Sequence, residues 1–227
     1  MDKTKMKDGI YYITSDGYCI PVELYSEKEM KEMSHKFIDW IEYVGVKLGS
    51  KSIAVAKSDA TPLCNPILKI SPETRINIKT DEGAEKTAGC LSTGIGVDFT
   101  SMNEHHVPDI IQASGDWNGK ENTENIKQDS GWNEFMSKIK LNKDEYIPSV
   151  AELKLIQIFG KQLNEAINKI HGDPLLEDWY FTSTQFSSTG LWDMYFGDGR
   201  IACINNFDEK LNAFRPLAGR VRAVHTF

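Results

Sequence analysis

A chain of 227 residues, 40% hydrophobic and 26% charged, can bury one substantial core, and it reads as a single domain over 1–227 with an irregular insertion at about 58–118. A formal net charge of −7, with no Lys/Arg run longer than two residues, leaves no electrostatic footprint for nucleic acid or an anionic surface. No apolar run is long enough for membrane insertion, and Met1 to Asp8 lead into the chain without the apolar segment of a signal peptide, so export by the common route is not expected. Cys19, Cys64, Cys90 and Cys203 form no C-x-x-C pair, which argues against a zinc knuckle or a redox motif and for reduced, mostly buried thiols.

In chain order, residues 9–24 place β-branched and aromatic side chains on both sides of Asp16-Gly17, a pair suited to a tight turn, and predict an opening β-hairpin. Ser26 and Glu29 have capping-box spacing, and Met30, Met33, Phe37 and Trp40 share a helical face, which predicts one helix running to about Ile41. Strands are expected at 43–48 and 52–56, joined at Gly49. Residues 58–118 are irregular, with Pro62, Pro66 and Pro72, although Arg75 to Lys79 alternate like a strand and Asp81 to Thr93 hold a weak helical pattern. After Asp116-Trp117-Asn118-Gly119, the residues Trp132, Phe135, Met136 and Ile139 fall at helical spacing, with a break expected at Gly131.

The clearest helix begins at Ser149, with Glu152 completing a capping box. Leu153, Ile156, Phe159, Leu163, Ile167 and Ile170 form one stripe that Gly172 and Pro174 terminate. Short strands follow near 178–183, 191–196, 200–205 and 219–226. The fold class is therefore α+β, two main helices flanking a small, mostly antiparallel sheet.

Chemistry-bearing clusters are sparse. Glu104-His105-His106 with Asp109 has metal-ligand residue types, but adjacent histidines in an extended segment point to opposite faces, so no metal or other cofactor is expected. No Gly-x-Ser-x-Gly elbow or Cys/His pairing is present, Gly94-Ile95-Gly96 lacks the rest of a phosphate loop, and an enzyme is not expected. The segment 179–227 is different: aromatic anchors recur among Ser, Thr, Asn and Gly. Alternation assigns Trp179, Phe181, Trp192, Phe196, Val221 and Val224 to the core. It assigns Gln185, Phe186, Asp193, Tyr195, Arg200, Ala202, Ile204 and Asn205 to an exposed face suited to ligand contact, together with Phe207 and Phe214.

Tyr146-Ile147-Pro148-Ser149-Val150-Ala151-Glu152-Leu153, Trp179-Tyr180-Phe181-Thr182-Ser183-Thr184, Leu191-Trp192, Phe196 with Gly199, and Val221-Arg222-Ala223-Val224 form a scattered pattern. With Asp8-Gly9-Ile10-Tyr11-Tyr12 and Asp116 to Thr123, the pattern resembles a C-type-lectin-like domain family of gut bacteria and their phages, which includes the variable proteins of diversity-generating retroelements. The resemblance implies a C-type-lectin-like fold with varied exposed positions, adding Asn206 and Asn212 to the ligand-binding set along with Phe207 and Phe214. The Glu-Pro-Asn, Gln-Pro-Asp and Trp-Asn-Asp motifs of calcium-dependent sugar binders are missing, and Cys203 alone does not reproduce the cysteines of formylglycine-generating relatives. The expectation is a non-enzymatic protein that recognises a protein or glycan receptor as a phage virion component, a tail or fibre part assembled in the cytoplasm. The alternative is a structural particle protein whose same face contacts virion proteins or further copies of itself.

Overall fold

The computed structural model describes residues 6–33, 35–60, 107, 109–129, 132–187, 190–203, 207–208, 213–214 and 219–227. The chain is a mixed α+β protein whose described strands form antiparallel sheets of five, three and two strands. In the first sheet β1 (Gly9–Thr14), β2 (Cys19–Pro21), β3 (Ile41–Leu48), β4 (Lys51–Ala56) and β10 (Val224–His225) lie in the order β10-β4-β3-β1-β2. The expected hairpin at Asp16-Gly17 is present, with Gly17 at φ +84°, a left-handed conformation that glycine adopts at little cost. Alternation works as the period of two requires. Tyr12, Val44, Val46, Ile53 and Val55 face the main core, whereas Tyr11, Ile13, Tyr43 and Ala54 face a second cluster closed by Phe227.

The first helical segment departs from expectation. Ser26 caps α1 (Glu27–Glu32) through the anticipated box, Ser26 N–H to Glu29 Oε2 at 2.7 Å and Glu29 N–H to Ser26 Oγ at 3.3 Å. Met33 is then extended, at φ −68° and ψ 145°, and a separate helix α2 (His35–Trp40) follows. Ile41 is not the end of a helix but the first residue of β3.

Next come α3 (Ile110–Ser114), α4 (Gly119–Gln128) and α5 (Asn133–Ser137). The long amphipathic stripe becomes α6 (Val150–Ile158) and α7 (Gly160–Lys169), parted at Phe159. A Cβ on Gly160 would sit 3.0 Å from the Phe196 ring, so the kink and the missing side chain let Phe196 pack against the helix. Both helices lay their apolar side on the first sheet, and Leu153, Ile156, Leu163 and Ile167 are fully buried there.

The second sheet has the order β5-β6-β7, from β5 (Trp179–Ser187), β6 (Gly190–Tyr195) and β7 (Ile201–Cys203), and β8 (Phe207–Asp208) pairs with β9 (Ala213–Phe214). One face, carrying Tyr180, Met194 and Phe196, joins the main core, and Phe181 and Leu191 on the other pack with Ile126, Trp132, Phe135 and Val221. The expected strand at 219–226 is divided. Arg220 bridges Tyr180 in parallel, and only Val224–His225 joins β4, so this segment stitches the two sheets together. Among the described residues no helix is long and apolar enough to cross a membrane. The expected strand at 75–79 and the helical pattern at 81–93 lie outside the described residues.

Candidate functional site

Two polar regions stand out, one buried and one open. The buried one gathers segments far apart in sequence around Asp116. Its Oδ2 accepts from Thr184 Oγ1 at 2.6 Å and Asn122 Nδ2 at 2.7 Å, and its Oδ1 accepts from Asn118 N–H at 3.0 Å. The Asp116 carbonyl accepts from Ser149 Oγ at 2.7 Å, and Thr184 Oγ1 in turn accepts from Val150 N–H at 3.1 Å. The start of α6 is thereby held by β5 and by the turn before α4. Thr182 Oγ1 donates to the Trp192 carbonyl at 2.7 Å, and Ser183 Oγ to the Gly119 carbonyl at 3.2 Å. Every hydroxyl of Thr182-Ser183-Thr184 is thus spent on structure, as buried polar groups must be.

Glu152 sits in the same network, 4% exposed, where its Oε2 accepts from Ser149 N–H at 2.8 Å and its Oε1 from Tyr146 Oη at 3.3 Å. Burial pushes its carboxyl up to about 7 against these hydrogen bonds, with Asp116 adding a smaller repulsion. A Cβ on Gly119 would lie 2.0 Å from Glu152 Oε2, so only glycine fits at the start of α4. A second buried knot closes the chain. Arg222, 0% exposed, pairs with Asp59 at 2.9 Å and donates to the carbonyls of Ala56 at 3.0 Å and Asp173 at 2.9 Å, while Arg220 spans Asp59 and Asp178 at 3.0 and 2.8 Å.

The open region is the Trp179–Tyr195 end of the second sheet's other face, which farther along is closed by Phe181 and Leu191 packing on Phe135 and Val221. Cross-strand register places Trp179 beside Tyr195, and Phe181 beside Asp193 and Ala202. Tyr195 N–H donates to the Arg200 carbonyl at 2.8 Å, which puts Arg200 at the end of the first row. The Trp179 and Tyr195 rings lie 5.6 Å apart, and the Arg200 guanidinium is 5.2 Å from the Tyr195 ring, with Asp198 held on its far side at 2.7 Å. Trp179 and Tyr195 are half-buried and Arg200 is exposed. Next to this ladder, Asp193 has one carboxylate oxygen, Oδ1, shielded from solvent with no hydrogen-bond partner, and burial pushes its carboxyl up to about 7.

Asp193, Tyr195, Arg200 and Ala202 are therefore brought together on one face. Gln185 is not: a bulge after Phe181 shifts the strand phase, pairs Gln185 with Leu191 and leaves it only 7% exposed, correcting the expectation that it faces solvent. Phe186 stands on the opposite face, edge-on to Trp192 at 5.2 Å, and is half-buried. Trp179, expected in the core, is half-buried on the open face, while Tyr180 takes the core position. Ile204, Asn205, Asn206 and Asn212 lie outside the described residues, and Phe207 and Phe214 are described only as backbone partners of β8 and β9. His105 and His106 also lie outside them, whereas Asp109 caps α3, accepting from the N–H groups of Ile111 and Gln112 at 2.8 and 3.0 Å. Among the described residues no group of three His, Cys, Asp or Glu side chains is placed to hold a metal ion.

Reading by alternation missed Trp179 as a member of the face and Asp116 as the centre of the network. The Asp116-x-Asn118 turn spacing was a usable signal for the second. Comparison with protein-family models, curated proteins and solved structures finds no match to this chain.

Proposed function

We propose that this is a non-enzymatic recognition protein of C-type-lectin-like fold, whose open face on β5–β6–β7 binds a protein or glycan receptor on a bacterial surface, with the chain acting as part of a phage tail or fibre. One observation carries the reading. Asp116, Ser149, Glu152, Thr182, Thr184, Trp192 and Arg222 of the motif pattern are occupied in buried architecture, while Trp179 of the same pattern joins Tyr195 and Arg200, which lie outside it, in a ladder with open surface. Flat aromatic rings beside a guanidinium offer contact area at small conformational cost, the composition favoured where proteins bind partners.

Fluorescently labelled protein incubated with a panel of intact gut-bacterial cells and their isolated surface polysaccharides tests this. Saturable binding to at least one of them is expected, and it should persist in EDTA because the calcium-site motifs are missing. Binding to none, or binding abolished by EDTA and restored by calcium, would count against the proposal.

A further inference from the structure

The helix break after Met33 and an unusual residue at the end of α7 meet at one place. A cavity of about 600 Å³ opens between α1, α2 and the C-terminal end of α7, a size within the range of pockets for small organic ligands. Its apolar floor is Met30, Met33 and Ile38, with Met33 half-buried and Met30 and Ile38 set back in the main core, and thioether side chains adapt readily to a flexible apolar guest. Facing them, Lys169 supplies a fixed charge and His35 and His171 supply ring N–H donors, against the single carboxylate of Glu165. Lys169 and Glu165 balance in formal charge, so in a chain of net charge −7 this wall is neutral overall, and its excess is of hydrogen-bond donors.

Residue 171 sharpens the argument. Gly172, the sequence's own candidate to end the helix, does not take the left-handed position; His171 does, at φ +58°. Glycine would hold that conformation with less strain. Gly172 is needed one residue later, where a Cβ would lie 2.8 Å from Ile167 and 2.9 Å from the Lys57 carbonyl. The chain accepts strain at 171 and in return lines the cavity with an imidazole, a pattern associated with binding sites.

We propose that this cavity binds a small amphiphile consisting of an aliphatic tail and a carboxylate, the tail against Met30, Met33 and Ile38 and the carboxylate against Lys169 and His171. The proposal uses none of the residues of the recognition face.

The test is calorimetric titration of the full chain with sodium octanoate below its micelle concentration, alongside octan-1-ol, in wild type, Lys169→Glu and His171→Gly. Saturable octanoate binding is expected, with octanol weaker by about tenfold or more, a comparable loss in Lys169→Glu, and weaker binding in His171→Gly although that variant melts higher than wild type. No saturable octanoate binding, equal affinity for octanoate and octanol, or unchanged affinity in both folded variants would overturn it.

Discussion

Glu152 and Asp193 are carboxyls whose surroundings oppose their charge, and this sets a direction for stability against pH. Both are pushed up to about 7 by burial, from ordinary values of 4.5 and 3.8. A group raised in the folded state contributes stability that is fully present below its ordinary value and lost as pH rises through its folded value. Glu29 and Asp198 act oppositely, held down by hydrogen bonds from Ser26 and Arg200, so their contributions fade only in more acid solution. The melting temperature is therefore expected to be higher near pH 5.5 than near pH 8. Glu152→Gln should reduce the difference without abolishing it, because an amide fills the same space without titrating while Asp193 still titrates; the shift at Glu152 corresponds to on the order of 3 kcal/mol. Equal melting temperatures at the two pH values in wild type would contradict this account. At residue scale the capping box at Ser149 and Glu152 was legible, but its burial was not, since spacing reports a helix start and says nothing about Gly119 and Tyr146 closing over the carboxylate.

At the scale of elements, periodicity located most of the described strands and helices, while local interruptions decided their ends. The stripe from Leu153 to Ile170 was read as one helix, yet Gly160 parts it where Phe196 approaches. Met30 to Trp40 looked continuous for the same reason: the pattern records which side chains seek the core, not where the backbone turns to reach it. In β5 the difficulty was different. Trp179 shares a face with Phe181, and alternation reads both inward, but the cluster that buries Phe181 does not reach Trp179, an end effect that hydrophobicity alone does not show. Trp192 was placed correctly. It is buried, packs on Phe186 and donates from Nε1 to the Val107 carbonyl at 2.8 Å. Trp192→Ala is expected to lower stability by about 3–5 kcal/mol by leaving a cavity and an unpaired carbonyl, read by chemical denaturation; an unchanged midpoint would place this ring outside the core.

Across the whole molecule, the two sheets and the α6–α7 helices are tied at the points where the chain returns. Tyr146 bridges Val224, Arg220 runs beside β5, and Arg222 reaches β4, the loop after α7 and Asp59 together. None of this convergence could be read from residues 220–222, because the partners lie on average far along the chain and spacing carries no information about them. Arg222→Lys should cost on the order of 3 kcal/mol, since an ammonium cannot satisfy a carboxylate and two carbonyls in the planar arrangement that a guanidinium provides; a denaturation midpoint equal to wild type would show the knot to be dispensable. The same convergence separates architecture from the open ladder of Trp179, Tyr195 and Arg200. The most direct measurement takes one preparation of Tyr195→Ala/Arg200→Ala and records both its melting temperature and its binding to the bacterial cells that wild type recognises. A melting temperature close to wild type with binding reduced at least about tenfold is the predicted result, and full binding by the folded double variant would contradict it.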